Sequence, residues 1–478
     1  MQDILSCTRD KNNPKLDLVM PSKPGKCRGS VGRAASSRLG EAASDFTIHP
    51  AHLPSTRKLR KLKPHRRPQL VDLSVPKPRR RSLGHSPFKQ KVSKQHPPVP
   101  NHDRHHESPR HTRRQDGQGP RGKPQVPCPP SFRARPLTEI PQIPKPQPGP
   151  GEILIKVSVV AQNPTDWKTT AAASAGRIVG CDFAGTIADP NGAPFREGQR
   201  VAGWVHGAWE NPPRGAFAEY LVTESTMVFP VPDALTDKEA AVISLAFATA
   251  VQALFQRLRL PEPKPDGTPA VPANTADERI PILINGATSS VGMYAVQLAK
   301  MAGLRVIATG SKKNHALLKD LGADVTIDYR DAHWVDLLKA AAGHKLRHAF
   351  DTISEVETTK AVVQAVEPGG HVICILPRKA DEVGAPEGVR VESTLAYTVF
   401  GRHVTYGGAP FDNIDGPKPE DKAFWEKYLA ILPKWLEEGK IKPNPQKELG
   451  GLEDIPKGFE LQAKGGVSAQ KLVYRISQ

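Results

Sequence analysis

The sequence predicts an α/β protein in which a doubly wound parallel sheet stands beside a small β-barrel, behind a basic extension. Three observations carry this. Short apolar runs alternate with amphipathic stretches between residues 280 and 376. A turn of small residues joins the first of those runs to its helix, and β-rich pieces separated by Gly and Pro come before.

Charge divides the chain as sharply as pattern does. Residues 1–130 hold 28 of the 67 Lys and Arg but 9 of the 49 Asp and Glu, so the remainder is close to neutral. The same stretch has Phe46 and Phe88 as its aromatics and 9 of the 16 His. So little apolar side chain cannot offset an ordering cost of roughly 1–2 kcal/mol per backbone residue, and residues 1–130 are expected to be disordered. Basic runs such as 58–63 and 78–81 suit nucleic-acid or nuclear-localisation patches, but the reading preferred is a solvated tail, with nucleic acid not expected as a partner. Asp3, Asp10 and Asp17 argue against a transit peptide. No window approaches 18 apolar residues, so no membrane span is expected. Five scattered Cys, two of them in the body, point to a reducing compartment and a cytoplasmic location.

Along the body, 141–151 (PQIPKPQPGPG) is a stiff approach, and 152–160 alternates as a strand. The pieces 185–188, 200–205 and 216–222 complete a barrel-like set. Residues 237–258 read as helical and 261–277 as a polar loop. Strands at 280–285, 305–308, 325–327, 348–351 and 371–376 then alternate with helices at 291–302, 315–321, 334–341 and 358–366. A helix over 421–438 and a strand over 471–476 return to the first domain. The expected divisions are therefore 1–130, 131–245, 246–401 and 402–478, with no internal repeat.

The chemistry concentrates in 282–299, ILINGATSSVGMYAVQLA. Gly286 permits the tight bend and Gly292 close packing of helix on strand. The backbone from Ser289 through Ser290 and Val291 then offers free N–H groups, and the two serines hydroxyls, to a pyrophosphate. Thr288 stands where the middle glycine is usual. An NAD site places Asp or Glu at the end of the next strand. Here that end reads Thr309-Gly310-Ser311-Lys312-Lys313-Asn314, without a carboxylate. Ser311 and Lys312, with Asn314 beside them, suit a 2′-phosphate, which favours NADPH.

With Asn163-Pro164-Thr165-Asp166-Trp167-Lys168, Gly180-Cys181-Asp182-Phe183-Ala184-Gly185, Gly215-Ala216-Phe217-Ala218-Glu219-Tyr220 and the phosphate loop, the sequence resembles the medium-chain dehydrogenase/reductase superfamily. Within it, the likeness is to the trans-acting enoyl reductases that partner fungal polyketide synthases, and it spans roughly 132–478. The resemblance implies a Rossmann doubly wound sheet plus a GroES-like barrel. It also implies a zinc-free enzyme, since Asn163 to Lys168 and Gly180-Cys181-Asp182 stand where zinc relatives carry a Cys and a Gly-His-Glu, and the four-Cys lobe is missing. No metal is expected. The implied reaction is conjugate hydride addition to an enoyl thioester, with charge building on the carbonyl oxygen.

The resemblance further implies that Asn163, Pro164, Asp166 and Lys168 line the nicotinamide-facing cleft, Asp166 and Lys168 being the catalytic candidates. Ser244 and Thr249 would touch substrate, in a stretch where Leu245 and Phe247 read as core. Tyr329 would stack on adenine, Leu376 and Pro377 would lie near the nicotinamide ribose, and Ser468 would close over the cofactor. Thr398 and Phe400 would border the acyl pocket. The substrate would arrive on an acyl carrier. A quinone or small-enone reductase is the nearest rival, and a non-catalytic NADPH- or nucleic-acid-binding protein is the rival of another class. Two departures stand out: 121–130 lacks the strand usual before the proline-rich approach, and 169–177 is altered where substrate loops are expected.

Overall fold

The computed structural model describes residues 142–170, 176–208, 214–270, 278–403, 405–406, 409–410 and 417–476. The chain divides after Gln118, and every described residue falls in the second unit. The basic extension and the region 121–130 lie outside the described residues, as does most of 169–177.

The chain enters through β1 (Glu152–Ala161), followed by α1 (Pro164–Thr170), β2 (Asp182–Asp189), β3 (Arg200–Trp204), β4 (Tyr220–Glu224) and β5 (Val228–Pro230). Two short helices come next, α2 (Asp237–Ala241) and α3 (Ser244–Val251), then a π-helical turn, Gln252–Arg257. The alternating region contains β6 (Pro281–Asn285), α4 (Ser290–Met301), β7 (Arg305–Thr309), α5 (His315–Asp320), β8 (Val325–Ile327) and α6 (Trp334–Ala341). It continues with β9 (His348–Asp351), α7 (Val356–Ala365), β10 (His371–Cys374) and β11 (Arg390–Ser393). A small ladder, β12 (Thr405–Tyr406) with β13 (Ala409–Pro410), precedes α8 (Pro419–Glu437), β14 (Gln446–Gly450), α9 (Ile455–Ala463) and β15 (Lys471–Arg475).

β1 organises the first sheet because it serves three neighbours. One edge pairs with β2 along most of its length. The other is shared, Glu152 to Lys156 facing β4 and Val159 to Ala161 facing β15. The change falls near a register shift between Val157 and Val159, where an irregularity bends a strand and lets it change partners. Gly185 sits opposite Val157, and a Cβ there would lie 3.0 Å from the Val157 Cα. Only glycine admits that approach. The two ends of the body are thereby closed into one sheet, as expected for a strand returning from the far terminus.

The second sheet is parallel throughout, in the order β11-β10-β9-β6-β7-β8. Counted from β6, this is 6-5-4-1-2-3, so the chain reverses direction between β6 and β9 and opens a crevice at their carboxyl ends, where such sheets bind ligands. Ile282, Leu283, Ile284, Val306, Ile307, Ala308, Ala349 and Phe350 are all fully buried. Helices on both faces explain why these strands read as unbroken apolar runs.

The helical stretch expected over 237–258 is broken in the structure. Leu245 donates its N–H to the buried Asp182 carboxylate, 2.8 Å away, so α3 starts afresh beyond Val242 and Ile243. All eight residues of α3 are buried, with Phe247 packed edge-on to Tyr294 at 5.8 Å and tilted against Trp425 at 6.2 Å. α8 thus packs on α3 through Trp425 and Tyr428. The strand β11, the strand β14 and the helix α9 were not expected; the two strands are polar, and α9 is a short helix burying Ile455, Gly458 and Phe459.

Candidate active site

The turn from β6 into α4 is built as a phosphate cradle. Gly286 has φ 69°, and a Cβ on it would lie 2.9 Å from Thr352 Oγ1. Gly292 would bring a Cβ within 2.6 Å of the Gly286 carbonyl oxygen, so neither position tolerates a side chain. Ser289 caps the helix, its Oγ accepting from Gly292 N at 2.9 Å and lying 2.8 Å from Thr352 Oγ1. Ser290 and Val291 open the helix, half-buried, with the exposed dipole end of α4 between them.

A buried network holds the carboxyl ends of three strands in register beneath this turn. Thr309 Oγ1 donates to Asn285 Oδ1 at 2.6 Å and accepts from Gly286 N at 2.9 Å. Asn285 Nδ2 donates to Asp351 Oδ1 at 2.9 Å. Asp351, fully buried, also accepts from Ile353 N and Ser354 N at 3.0 and 3.1 Å and from Thr359 Oγ1 at 2.8 Å. Ser354 is thereby held at φ 57°, a strained setting for a residue with a side chain. The sequence reading missed this network; an Asn and two hydroxyls at the ends of apolar strands were the available signal.

At the adenosine end, Ser311 Oγ lies 3.3 Å from the hydroxyl of Tyr329, whose ring is 46% exposed. Lys312 is exposed, and its backbone N donates to Asp328 Oδ2 at 3.1 Å. The Arg330 guanidinium sits 5.5 Å from the Tyr329 ring centroid. Asn314 is half-buried and its Nδ2 has no hydrogen-bond partner among the described residues. Ser311 and Tyr329 are therefore in contact, with Lys312 and Asn314 on the adjoining turn.

On the barrel side, the predicted residues separate. Asn163 begins α1 and is buried, its Nδ2 donating to Asp182 Oδ2 at 2.8 Å. Asp166, 1% exposed, accepts from Asn163 N at 2.7 Å, the carboxylate half of a capping arrangement. Burial, opposed by the Asn163 N–H and the Cys181 thiol, pushes its pKa up to about 7. Pro164 and Lys168 are exposed, the Lys168 ammonium 5.7 Å from the Trp167 ring centroid. Residues two apart on a helix do not share a face, so Asp166 and Lys168 do not line one cleft together. In this structure Asn163 and Asp166 direct their polar atoms inward.

The substrate-side residues divide likewise. Thr398 is fully buried and bonded to Gln252 Nε2 at 2.8 Å and to the Asp421 carboxylate. Asp421 also accepts from Gln256 at 2.7 Å and pairs with Arg257. Thr398 is thus a tie between the π-helical turn and α8. Thr249 spends its hydroxyl on the Leu245 carbonyl at 2.8 Å. Ser244 is 1% exposed, and its Oγ has no partner among the described residues. Phe400 packs on Trp204 at 4.6 Å. Leu376 and the exposed Pro377 follow β10 at the carboxyl end of the sheet, fixed through Ser393 Oγ and Arg378 Nη1 at 2.8 and 2.7 Å. Ser468 is exposed.

Residues 149–233 match the family described as alcohol dehydrogenase GroES-like domain, and 290–406 the family described as zinc-binding dehydrogenase. A zinc-type alcohol dehydrogenase-like protein of Schizosaccharomyces pombe is 36% identical over 345 residues, which cover 70% of this chain and 94% of that protein. The trans-enoyl reductase traG of Penicillium crustosum is 35% identical over 341 residues, 69% of this chain and 92% of its own. The chain belongs to the medium-chain dehydrogenase/reductase superfamily. Among solved structures, the CurK enoyl reductase aligns with a TM-score of 0.54 at 18% identity, over 71% of this chain and 94% of that one, a likeness of fold.

Membership in this superfamily implies a nicotinamide cofactor, and the cradle at Gly286–Gly292 fits one. It also raises the question of zinc. Among the described residues no group of three His, Cys, Asp or Glu converges. Asp182, in the segment where zinc relatives carry Gly-His-Glu, is paired with Lys471 and further bonded to Asn163 and Leu245. Cys181 is buried with its Sγ 3.7 Å from the Tyr397 hydroxyl, and the Lys471 ammonium already sits on Asp182, where it would repel a second cation. These residues do not fit zinc. Among the described residues, no helix is long and apolar enough to cross a membrane.

Proposed function

We propose that this medium-chain dehydrogenase/reductase is an NADPH-dependent enoyl reductase that reduces the C=C bond of an α,β-unsaturated acyl thioester, acting in trans on a substrate carried by a polyketide synthase. The observation that carries the reading is a dinucleotide cradle at the start of α4, joined to a barrel in which the buried Asp182 is committed to the Lys471 ammonium. Relatives named trans-enoyl reductase, from Penicillium crustosum, Alternaria alternata and Aspergillus niger, at 34–35% identity, support the reaction class and the trans-acting role.

In this reading, residues 246–401 hold the cofactor, while 131–245 and 402–478 form the catalytic domain. Ser289, Ser290, Val291 and Gly292 receive the pyrophosphate at the start of α4. Ser311, Lys312 and Asn314 receive the 2′-phosphate, and Tyr329 offers its exposed face to adenine. Leu376 and Pro377 flank the nicotinamide ribose, and Ser468 closes over the cofactor. When bound, NADPH supplies a hydride. Lys168 stands at the rim of α1 to pass a proton through water, while Asn163, Pro164 and Asp166 fix that helix start. Ser244, Thr249 and Phe400 flank the acyl chain.

The test is NADPH oxidation by the full chain against pantetheine-linked crotonyl thioesters, free enones and quinones, with Lys168→Ala alongside. Thioesters should be preferred by far, and Lys168→Ala should slow turnover. Equal rates on quinones would favour a small-enone or quinone reductase. No oxidation with any acceptor would end the enzyme assignment.

A further inference from the structure

Tyr397 is the meeting point of the barrel's inner wall. Its hydroxyl lies 2.9 Å from Thr165 Oγ1 and 3.7 Å from Cys181 Sγ. Its ring lies 4.1 Å from the His206 imidazole and 5.3 Å from the Trp204 indole, centroid to centroid. Trp204 in turn packs on Phe400. Thr165 follows Pro164 at the start of α1 and is half-buried, so the phenol is held against the first turn of that helix.

His206 is the second member. It is 5% exposed, and burial together with the Arg402 charge lowers its pKa to about 3, so the ring is neutral. Its Nε2 finds no hydrogen-bond partner among the described residues. Leaving a buried polar atom unpaired costs about 1–3 kcal/mol, and a phenylalanine would fill the same space without that cost. A nitrogen kept there, beside a tyrosine hydroxyl, marks a place that a ligand's oxygen completes.

We propose that Tyr397 and His206 receive the carbonyl oxygen of the unsaturated substrate, the phenol O–H and the imidazole Nε2–H both donating to it. This rests on the enoyl-reductase reading above. Hydride from the reduced nicotinamide forms the new C–H bond at the β-carbon. The C=C electron pair shifts to join the α-carbon to the carbonyl carbon, and the C=O pair moves onto oxygen. The two donors hold that charge until the carbonyl re-forms and the α-carbon takes a proton from water. Donors aimed at where charge develops act chiefly on the transition state. Trp204 and Phe400 form the apolar wall beside them.

The test uses the full chain with NADPH and the crotonyl thioester of N-acetylcysteamine. Tyr397→Phe keeps the ring packing and removes one donor. It should lower kcat by roughly 100-fold, the loss typical of one oxyanion donor. His206→Phe should lower it in the same direction, by roughly tenfold. In both, the NADPH dissociation constant from fluorescence titration should stay unchanged, while His206→Phe should raise the melting temperature and Tyr397→Phe should lower it slightly, by the worth of its bond to Thr165. A merely structural role would weaken NADPH binding in both variants together with kcat, and that result would overturn the proposal. Active wild type with both variants within about twofold of it would also overturn the proposal, and leave the enoyl-reductase reading intact. A wild-type chain inert toward every enoyl and enone would sink that reading, and this one with it.

Discussion

Replacing Lys471 by Met should unfold the barrel at markedly lower denaturant. Lys471 and Asp182 are an ion pair whose side chains are 1% and 0% exposed. Asp182 also accepts from Asn163 Nδ2 and Leu245 N, each at 2.8 Å, so one carboxylate ties β15 to β2, α1 and α3. Methionine keeps the stem's volume and removes the charge, which leaves a carboxylate with two neutral donors and no counter-ion. Breaking a buried pair in this way costs about 3–5 kcal/mol. Against a typical total of about 5–15 kcal/mol, that is a large share of the stability. For a body of this size the melting temperature should fall by roughly 5 °C. The assay is urea unfolding followed by tryptophan fluorescence, since Trp204 lies in β3, next to Asp182 in the ladder register. Adding Asp182→Asn to Lys471→Met should recover much of the loss, because the neutral amide keeps an oxygen for the Leu245 N–H and needs no counter-ion. A single-variant loss below about 1 kcal/mol, or a double variant no better than the single, would refute the claim that this pair fixes the start of α1 and of α3.

Asp166 gives a pH dependence of unusual sign. Its folded pKa of about 7 lies above the ordinary 3.8, so between those values the folded state holds a proton that the unfolded chain has released. Stability should therefore fall as pH rises from about 4 to 7, by up to about 4 kcal/mol, and level off above. Asp166→Asn should flatten that profile in urea melts at pH 4.5, 6 and 8; an identical slope in both proteins would contradict it. Gly292→Ala places a Cβ 2.6 Å from the Gly286 carbonyl and should cost about 1–3 kcal/mol with loss of NADPH binding, read by melting and fluorescence titration. Lys312→Ala should weaken NADPH by roughly 10–100-fold, the worth of a charge-assisted bond, and leave NADH affinity unaltered. Equal losses for both dinucleotides would remove Lys312 from the 2′-phosphate site.

What the sequence made legible follows from what is local. The strands β6, β7, β9 and β10 are apolar runs bounded by turn signals, and the phosphate cradle is encoded in one unbroken segment. β11 (Arg390–Ser393) and β14 (Gln446–Gly450) were missed because each is a sheet edge with polar residues and no apolar alternation. The break before α3 was missed because its cause, Asp182, lies 63 residues upstream. Lys471 and Asp182 are 289 residues apart, and only a lysine opening an apolar closing strand hinted that its charge needed a buried partner. Asp166 and Thr398 carried the right residue types in the right segments, yet backbone geometry turned both inward. His206 and Tyr397 gave no signal at all, since their meaning lies in a contact between segments almost 200 residues apart.

The variant glycine fingerprint shows how such long-range terms reshape a local motif. Thr288 occupies the place of the middle glycine, whose usual service is to let backbone approach the pyrophosphate. The structure moves the space to the neighbouring strand end. A Cβ on Gly310 would stand 3.2 Å from Thr288 Cγ2 and 2.9 Å from Leu318 Cδ1, so the threonine methyl occupies room that Gly310 leaves. Its side chain is then tucked against the sheet, and the amides of α4 remain open. The same strand end supplies Thr309, whose hydroxyl accepts from Gly286 N and donates to Asn285. Thr288 and Gly310 thus meet across the crevice where β6 and β7 end. Reading either segment alone gives an imperfect fingerprint; read together, Gly286, Thr288, Thr309 and Gly310 form a complete one.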